Sequence, residues 1–419
     1  WIVRGTTPTS DDFKTNFERI KGKLDLNDIV SASDQGSFSD RDILIDAIFG
    51  SGLSRPAEGI YEQAINCINQ TDALKIAVDA PSGLMTDQAS VGKIVKADFT
   101  ISFQLPKLAF LLPENYAYVG NWKIVDIGLS KAFLKTVDTP HYYLTKSSIR
   151  QKIRKREKFD HKGTYGHALM IAGSFGKMGA CALSARACLR SGVGLLTVHV
   201  PKSGYAIIQT SVPEAMASVY EEEDFFSSEL EVKGYAAIGV GPGIGQSKDT
   251  SNSLLKLIQQ GKPLVIDADG LNILAANPDW VNRVPPGSIL TPHPKEFERM
   301  VGPWRNDFER LEKQKKLSLD TASVIILKGA HSSIAAPDGK VYFNSTGNPG
   351  MATGGSGDVL TGILTGLLSQ GYSAVDAAIV GTYLHGLSGD LAAREKGQHS
   401  LIASDLINFL PAAFKSTSN

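Results

Sequence analysis

Cysteine is scarce in this 419-residue chain: there are three, Cys67, Cys181 and Cys188. So few exclude a disulfide-stapled extracellular scaffold and a thiolate metal cluster, and predict a reduced, cytoplasmic setting. Cys181 and Cys188 stand seven apart on a predicted helix, share a face, and read as small core residues. Net charge is lacking as well, because 43 Lys+Arg meet 43 Asp+Glu. Nucleic acid and membrane surfaces are therefore not expected as partners, since both call for cations in excess. No apolar run approaches the ~20 residues of a transmembrane helix, and no internal repeat or low-complexity tract is present. What remains is 42% hydrophobic and 21% charged, the make-up of globular domains with full cores. The length predicts two or three of them.

Short β-branched runs alternate with turns rich in Gly, Asp and Pro and with helix-like segments. The predicted strands are Ile43–Phe49, Leu74–Val78, Ala168–Ala172, Leu195–Val200, Ala236–Val240, Leu264–Ile266 and Val324–Leu327. Strands this short and this apolar predict parallel sheets covered on both faces. Chemistry in such sheets gathers at the carboxyl ends of the strands. A boundary is expected between 138 and 160. From Arg150 to Lys162 the chain holds seven lysines and arginines against two acids. These cations are either a solvated linker with its entry helix or a set that meets substrate phosphates. The start, Trp1-Ile2-Val3-Arg4, lacks methionine and is already strand-like, as expected of a fragment that has lost an N-terminal piece. The end, Lys415 to Asn419, is expected to fray.

The densest chemical signal is Gly347-Asn348-Pro349-Gly350-Met351-Ala352-Thr353-Gly354-Gly355-Ser356-Gly357-Asp358, which runs straight into the apolar stretch Val359 to Leu368. A glycine-rich loop opening onto a helix aims backbone N–H groups and the helix dipole at one anion. Asp358, in the first turn, is placed to take a proton beside that anion, so this is the expected reaction centre. Gly173-Ser174-Phe175-Gly176-Lys177-Met178-Gly179-Ala180 also links a strand to a helix. Its spacing fits neither the dinucleotide fingerprint nor a Walker loop, and a phosphate turn and a close strand-to-helix turn both remain open. The three glycines of Gly241-Pro242-Gly243-Ile244-Gly245 would let a ligand lie on the backbone. Asp267 and Asp269, in Ile266-Asp267-Ala268-Asp269-Gly270, suit Mg²⁺ held through waters, or Asp269 caps a helix. His293, between Pro292 and Pro294, is held in a stiff extended frame and is a candidate ligand contact. Lys328-Gly329-Ala330-His331-Ser332 ends a strand ahead of a predicted hairpin at Pro337-Asp338-Gly339 and could frame an adenine or a ribose.

Together these motifs resemble the carbohydrate-kinase-like dehydratase domain of the bifunctional NAD(P)H-hydrate repair enzymes, over about residues 141–415. Asn348 through Asp358 is the most specific part of the match. By that resemblance Lys328, Gly329, Ala330, His331, Ser332 and Gly357 would contact the adenine nucleotide, ADP or ATP with Mg²⁺. Asp358, His293, Gly243 and Ala180 would contact the hydrate, NADHX or NADPHX, with Asp358 as the base. The first 137 residues resemble the epimerase domain that precedes the dehydratase in the same family. The matching residues are Asp46-Ala47-Ile48-Phe49-Gly50-Ser51-Gly52-Leu53-Ser54-Arg55-Pro56 and Val78-Asp79-Ala80-Pro81-Ser82-Gly83-Leu84, supported by Ala97-Asp98-Phe99-Thr100 and Pro106-Lys107. There the resemblance implies that Asp46 and Ser82 help hold K⁺. Gly50, Ser51, Gly52, Leu53, Ser54, Arg55 and Pro56 would cradle the substrate, while Asp79 moves the proton that interconverts the C6 epimers. The alternative for Asp79 is a strand-end cap.

The implied architecture is α/β: an N-terminally truncated, Rossmann-like epimerase domain over 1–137, a linker over 138–150, and a ribokinase-like α/β/α dehydratase domain over 151–419. A homo-oligomer is expected. The family's Asn-Asn-Gly-Gly-Asp loop does not occur here, so the chain as given is expected to be a poor epimerase with an unprotected sheet edge. Two other functions are compatible with parts of the pattern. A ribokinase-type small-molecule kinase would use the same glycine loop to store phosphate on a hydroxyl. A non-catalytic N-terminal binding module is countered by Asp46, Asp79 and Ser82.

Overall fold

Runs such as Leu264–Ile266 and Val324–Leu327 carry no polar side chain, so they are stable only inside a sheet with both faces covered. The computed structural model of the chain describes residues 2–3, 9–29, 38–222, 226 and 230–418. It divides into residues 1–138 with 306–308, and residues 139–305 with 309–419.

The second unit is built on a ten-stranded sheet. Seven strands run parallel across it: Met216–Tyr220, Leu195–Pro201, His167–Ile171, Ala237–Val240, Leu264–Ile266, Ile289–Leu290 and Val324–Leu327. The antiparallel hairpin Ser333–Ala335 and Val341–Phe343 follows, turning at the Pro337–Gly339 segment as its sequence predicts. The period of two divides each central strand between two cores. Val324 and Ile326 face the helices Ser356–Ser369, Ala374–Lys396 and Ala403–Ser418. Ile325 and Leu327 face the opposite core with Leu254, Leu257, Leu271 and Phe297. Helix Ser356–Ser369 is apolar nearly all round because it lies buried against helix Met178–Arg190. A Cβ on Gly362 would sit 2.1 Å from the Ser184 carbonyl oxygen, and one on Gly366 2.7 Å from that of Cys188. Only glycine permits backbones this close, so the two helices pack face to face and their N-termini open on the same side of the sheet.

The first unit carries a four-stranded parallel sheet in chain order, Ile43–Asp46, Leu74–Val78, Phe99–Phe103 and Asn121–Val125. Its buried face packs under Ala80, Leu84, Ile94, Ala109 and Phe110 and beside the helix Ile60–Gln70.

Four expectations are corrected. The first-unit sheet is not covered on both faces among the described residues: Ile43, Ile45, Phe99, Ile101 and Val125 stay exposed, because the described helices and loops of that unit pack on one face only. Ile43–Asp46 forms its edge, three residues shorter than expected, since Asp46 turns into the loop that carries its hydrogen bonds. Residues 138–150 are not only a connection. They supply the strand His141–Tyr143, which pairs with Val341–Phe343 at the sheet edge, and the capped helix Lys146–Arg150. Residues 415–418 do not fray, because helix Ala403–Ser418 continues to Ser418, with Thr417 buried and its hydroxyl on the Ala413 carbonyl. At the start, Ile2–Val3 pairs with Asp28–Ile29; Trp1, Arg4 and Asn419 lie outside the described residues. Cys181 and Cys188 are buried and unpaired, as their spacing predicts. No described helix is long and apolar enough to cross a membrane.

Candidate active sites

In the second unit, the chemistry converges where helix Ser356–Ser369 begins. Gly355 precedes it at φ +89°, a left-handed conformation that glycine adopts freely. A Cβ there would lie 2.6 Å from Leu183 and 3.0 Å from Ala403. That turn leaves the N–H groups of Gly357 and Asp358 without an acceptor among the described residues, which is what an anion hole requires. Beneath it lies an ion pair: Lys328 Nζ is 2.9 Å from Asp267 Oδ1 and 3.9 Å from Glu296 Oε2. The Thr361 hydroxyl, one turn along the helix, donates to Asp267 Oδ2 at 2.9 Å. A Cβ on Gly357 would sit 3.3 Å from Asp267 Oδ2 and 3.4 Å from Lys328 Nζ, so the helix mouth and the ion pair form one site.

The charges set each other's protonation. Burial pushes the Asp358 carboxyl up to about 6, Asp267 and Asp269 add to the rise, and Lys328 opposes it. Burial also acts to raise Asp267, but the Lys328 charge and hydrogen bond, with Thr291 and Thr361, hold it below its ordinary value. Lys328 is pulled down by burial and pushed up further by Asp267 and Glu296, so it stays charged. A carboxyl near 6 among fixed charges is a base poised for work at neutral pH.

Ala268 explains how two neighbouring acids serve different partners. It sits at φ +48°, ψ −119°, a conformation costing about 1–3 kcal/mol for a residue other than glycine. The bend sends Asp267 to Lys328 and Asp269 to the glycine loop, where it accepts from the Gly245 N–H at 2.9 Å and Gln246 Nε2 at 2.7 Å. Asp269 does not cap its helix; the N-cap residue is Ala268, with no side-chain bond. The two glycine-bearing loops clasp each other: the Ser174 hydroxyl donates to the Gly243 carbonyl at 2.7 Å, and the Gly173 N–H to that of Pro242 at 2.8 Å. Gly243 thereby lies against Lys177 and Ala180.

A cavity of about 630 Å³ opens beside the helix mouth, lined by His293, Lys328, Gly329, Ala330, Ser332 and Gly357, together with Asn344–Asn348 residues and helix Ala374–Lys396. Five of the six residues expected to contact a nucleotide are thus brought together. His331 is the exception: its ring meets the Asn344 carbonyl at 3.1 Å instead of lining the cavity. His293 is extended, at φ −82°, ψ 167°, and caps helix Pro294–Val301 through Nδ1, which accepts from the Lys295 and Glu296 N–H groups. Burial lowers its proton affinity, against the pull of Glu296. Its Nε2 lies 3.3 Å from Glu296 Oε1, and the side chain stays 44% exposed at the rim.

The Arg150–Lys162 cations lie elsewhere. Arg154 donates to the Gln370 and Gly371 carbonyls at 2.9 and 2.7 Å, and Arg156 to that of Gly192. They cap the C-terminal ends of the two helices whose N-termini build the site, so they do not meet a phosphate at Asp358.

In the first unit, Asp46 and Ser82 come together at the carboxyl ends of adjacent strands. Asp46 accepts from the Ser82 N–H at 2.7 Å and the Ser82 hydroxyl at 2.6 Å, and burial raises its proton affinity. Asp79, at φ +67°, takes Lys107 Nζ at 2.9 Å, the Ser51 N–H at 3.0 Å and the Phe103 N–H at 3.2 Å. Burial acts to raise it, yet these donors hold it below its ordinary value. It bridges two loops rather than capping its own strand. Gly50 and Ser51 lie against Asp79, whereas Gly52 to Pro56 continue as a loop with no hydrogen bond to it, Ser54 and Arg55 being exposed.

A family described as NAD(P)H-hydrate dehydratase matches residues 168–412, more than half of the chain. A bifunctional NAD(P)H-hydrate repair enzyme from Moorella thermoacetica is 38% identical over 88% of this chain and 72% of its own length. The chain belongs to the bifunctional NAD(P)H-hydrate repair enzyme family. The YjeF-related protein N-terminus matches residues 2–109. The Thermofilum pendens repair enzyme is 34% identical over 96% of this chain and 79% of its own length. Among solved structures, ADP/ATP-dependent NAD(P)H-hydrate dehydratase from Bacillus subtilis, co-crystallised with ATP/Mg²⁺, is 32% identical, with a TM-score of 0.57 over 66% of this chain and 98% of that one. A ribokinase-like superfamily protein from Enterococcus faecalis gives 0.60 at 27% identity, over 67% and 98%. The second unit therefore has the ribokinase-like fold of the repair family.

Sequence reasoning missed two polar residues of helix Ala374–Lys396. Asp390 accepts from the Gly347 N–H and from Asn348 Nδ2, each at 2.9 Å, and so anchors the glycine loop. His385 Nε2 meets the Ser356 carbonyl at 3.0 Å, and burial pulls its proton affinity down to about 4. Both lie in an apolar helix, and no spacing rule links them to residues 29 to 43 positions earlier in the sequence.

Proposed function

We propose that the second unit dehydrates the hydrated nicotinamide ring of (6S)-NADHX and NADPHX at the expense of ADP or ATP, and that the first unit belongs to the interconversion of the C6 epimers. The observation that carries this reading is Asp358, a carboxyl with raised proton affinity in the first turn of a helix whose mouth is an anion hole. On this reading the nucleotide occupies the cavity bounded by Lys328–Ser332 and Gly357, with its terminal phosphate at the Gly357 and Asp358 N–H groups. The hydrate lies on the Asp358 side, against His293, Gly243 and Ala180. Asp358 takes the proton of the ring hydroxyl as its oxygen bonds to the phosphoryl group and the nucleotide leaves. Hydroxide is a poor leaving group and phosphate a good one. The ring nitrogen's lone pair then expels phosphate from C6, and loss of the neighbouring C5 proton restores the double bond. Lys328, kept charged by Asp267, stabilises the phosphates. A positioned base contributes about 10²–10⁴ in rate.

Metal chemistry is constrained by what the acids already hold. Asp267 spends both oxygens on Lys328 and Thr361, Asp269 both on Gly245 and Gln246, and no group of three His, Cys, Asp or Glu among the described residues could cage a metal. Mg²⁺ would therefore arrive on the nucleotide phosphates and keep its waters. In the first unit, Asp46 is a buried carboxylate whose partners, the Ser82 hydroxyl and backbone N–H groups, bring no positive charge. A K⁺ held by Asp46 and Ser82 would supply that charge and keep Asp46 ionised. Asp79, already ionised, is the group that would move the proton on which interconversion of the C6 epimers depends.

The test is incubation of the protein with hydrated NADH and ADP or ATP, following recovery of nicotinamide absorbance. Asp358→Asn is expected to keep nucleotide affinity and lose turnover. A phosphorylated alcohol without NADH recovery would make the protein a kinase, and joint loss of binding and rate would make Asp358 structural.

A further inference from the structure

Helix Ala374–Lys396 brings one polar group to the nucleotide cavity that the fold itself leaves unsatisfied. Threonines buried in helices normally pass the hydroxyl proton to the carbonyl four residues back. Thr365 and Thr417 do so here, to Thr361 at 2.7 Å and Ala413 at 2.8 Å. Thr382 does not. The residue is 3% exposed, its hydroxyl has no hydrogen-bond partner among the described residues, and it lines the cavity. A buried hydroxyl without a partner is costly, and valine has the same shape without that cost. The hydroxyl therefore fits a ligand group that enters the cavity.

His385, one turn further on and on the same lining, says which part of the ligand that is. The Ser356 carbonyl can only accept, so the ring proton sits on Nε2. Nδ1 is left as an acceptor to which no described residue donates. A lone pair repels phosphate oxygens and welcomes an amino or hydroxyl donor. The phosphate-binding groups, Lys328 and the Gly357 N–H, lie at the helix mouth, where Ser356 also holds the His385 ring, and neither His385 nor Thr382 adds a cation there. The Thr382 hydroxyl, uncharged and one turn back from His385, is thus matched to a polar group of the nucleoside.

We propose that Thr382 is a nucleoside-binding residue of this cavity, its hydroxyl pairing with the base or ribose of the adenine nucleotide. The proposal rests on the reading that the cavity takes an adenine nucleotide. It is tested on the full chain with Thr382→Val, measuring the affinities of ADP and inorganic tripolyphosphate and the Tm of the nucleotide-free protein. ADP binding is expected to weaken roughly two- to tenfold, the worth of one net hydrogen bond. Tripolyphosphate affinity should stay unchanged and the nucleotide-free Tm should not fall. IDP and 2′-deoxy-ADP then locate the contact, because the analogue lacking the paired group binds wild type and variant alike. Unchanged ADP affinity overturns the proposal, and so does an equal loss for ADP and tripolyphosphate, which would mark a structural role. Failure of the wild-type protein to bind ADP at all would overturn the nucleotide reading as well, which separates the two failures.

Discussion

Replacing Asp267 by Asn tests the electrostatic account of the base most directly. Asn keeps the shape and can still meet Lys328 and Thr361, so the change removes one negative charge and little else. Asp358 stands at about 6, and a displacement of roughly two units from an ordinary aspartate corresponds to about 3 kcal/mol. Burial is the largest cause and Asp267 the next, so Asp267 accounts for less than half of that. Two effects then act in one direction: the like charge beside Asp358 disappears, and Lys328 loses its closest counter-charge and bears more strongly on Asp358. Both stabilise the ionised base. The acid limb of kcat/KM for the hydrate, which reports groups of the enzyme before the hydrate binds, should therefore move to lower pH by roughly half to one unit. Dehydration followed by nicotinamide absorbance between about pH 5 and 8 resolves such a shift. Weaker nucleotide binding would not change its sign. A limb that stays in place, or that moves to higher pH, would refute the claim that Asp267 sets the proton affinity of Asp358.

Two further perturbations address the backbone and the first unit. Gly355→Ala must place a Cβ at φ +89° and 2.6 Å from Leu183, which is expected to cost about 1–3 kcal/mol. Gly354→Ala, whose Cβ meets nothing within 4 Å, should leave Tm nearly unchanged; equal Tm values for the two variants would refute the strained-turn reading. Lys107→Met removes the cation that, with the Ser51 and Phe103 amides, outweighs burial at Asp79. The Asp79 carboxyl should then titrate at higher pH, read from its side-chain carbon by NMR. Because a depressed carboxyl stabilises the fold above its unfolded pKa and ceases to as pH falls through its folded value, acid unfolding should also set in at higher pH. An unmoved Asp79 titration would show that the amides alone hold it.

The parts of this molecule that were legible in the sequence are those governed by local rules. All-apolar runs gave the central strands to within a residue at Leu264–Ile266 and Val324–Leu327, because only a doubly covered sheet can take Val-Ile-Ile-Leu. The glycine loop was legible because few other reasons exist for so many glycines ahead of an acid and a helix. The prolines around His293 showed that it would be extended, as it is. What stayed hidden depends on contacts distant in sequence. Asp390 and His385 act on residues 42 and 29 positions away, and within an apolar helix each looks like an incidental polar residue. The uncovered face of the first sheet was hidden too, since Ile43 and Ile45 read as core from composition alone.

The two acids of Asp267-Ala268-Asp269 show why pattern and geometry differ. As a string they suggest a shared metal. In the fold, Ala268 accepts a backbone conformation that disfavours any side chain, and the neighbours turn to separate tasks. One acid holds Lys328 charged under the anion hole; the other ties the Gly241–Gly245 loop against helix Asp269–Ala276. The same strain thus builds both walls of the site, the phosphate side and the hydrate side, around Asp358. A relaxed bend would leave Lys328 unpaired or the glycine loop untied, and either would remove the charge balance that places the base near neutral pH. Strain at Ala268 persists because four polar contacts on its two flanking acids hold it there, and those contacts are the site.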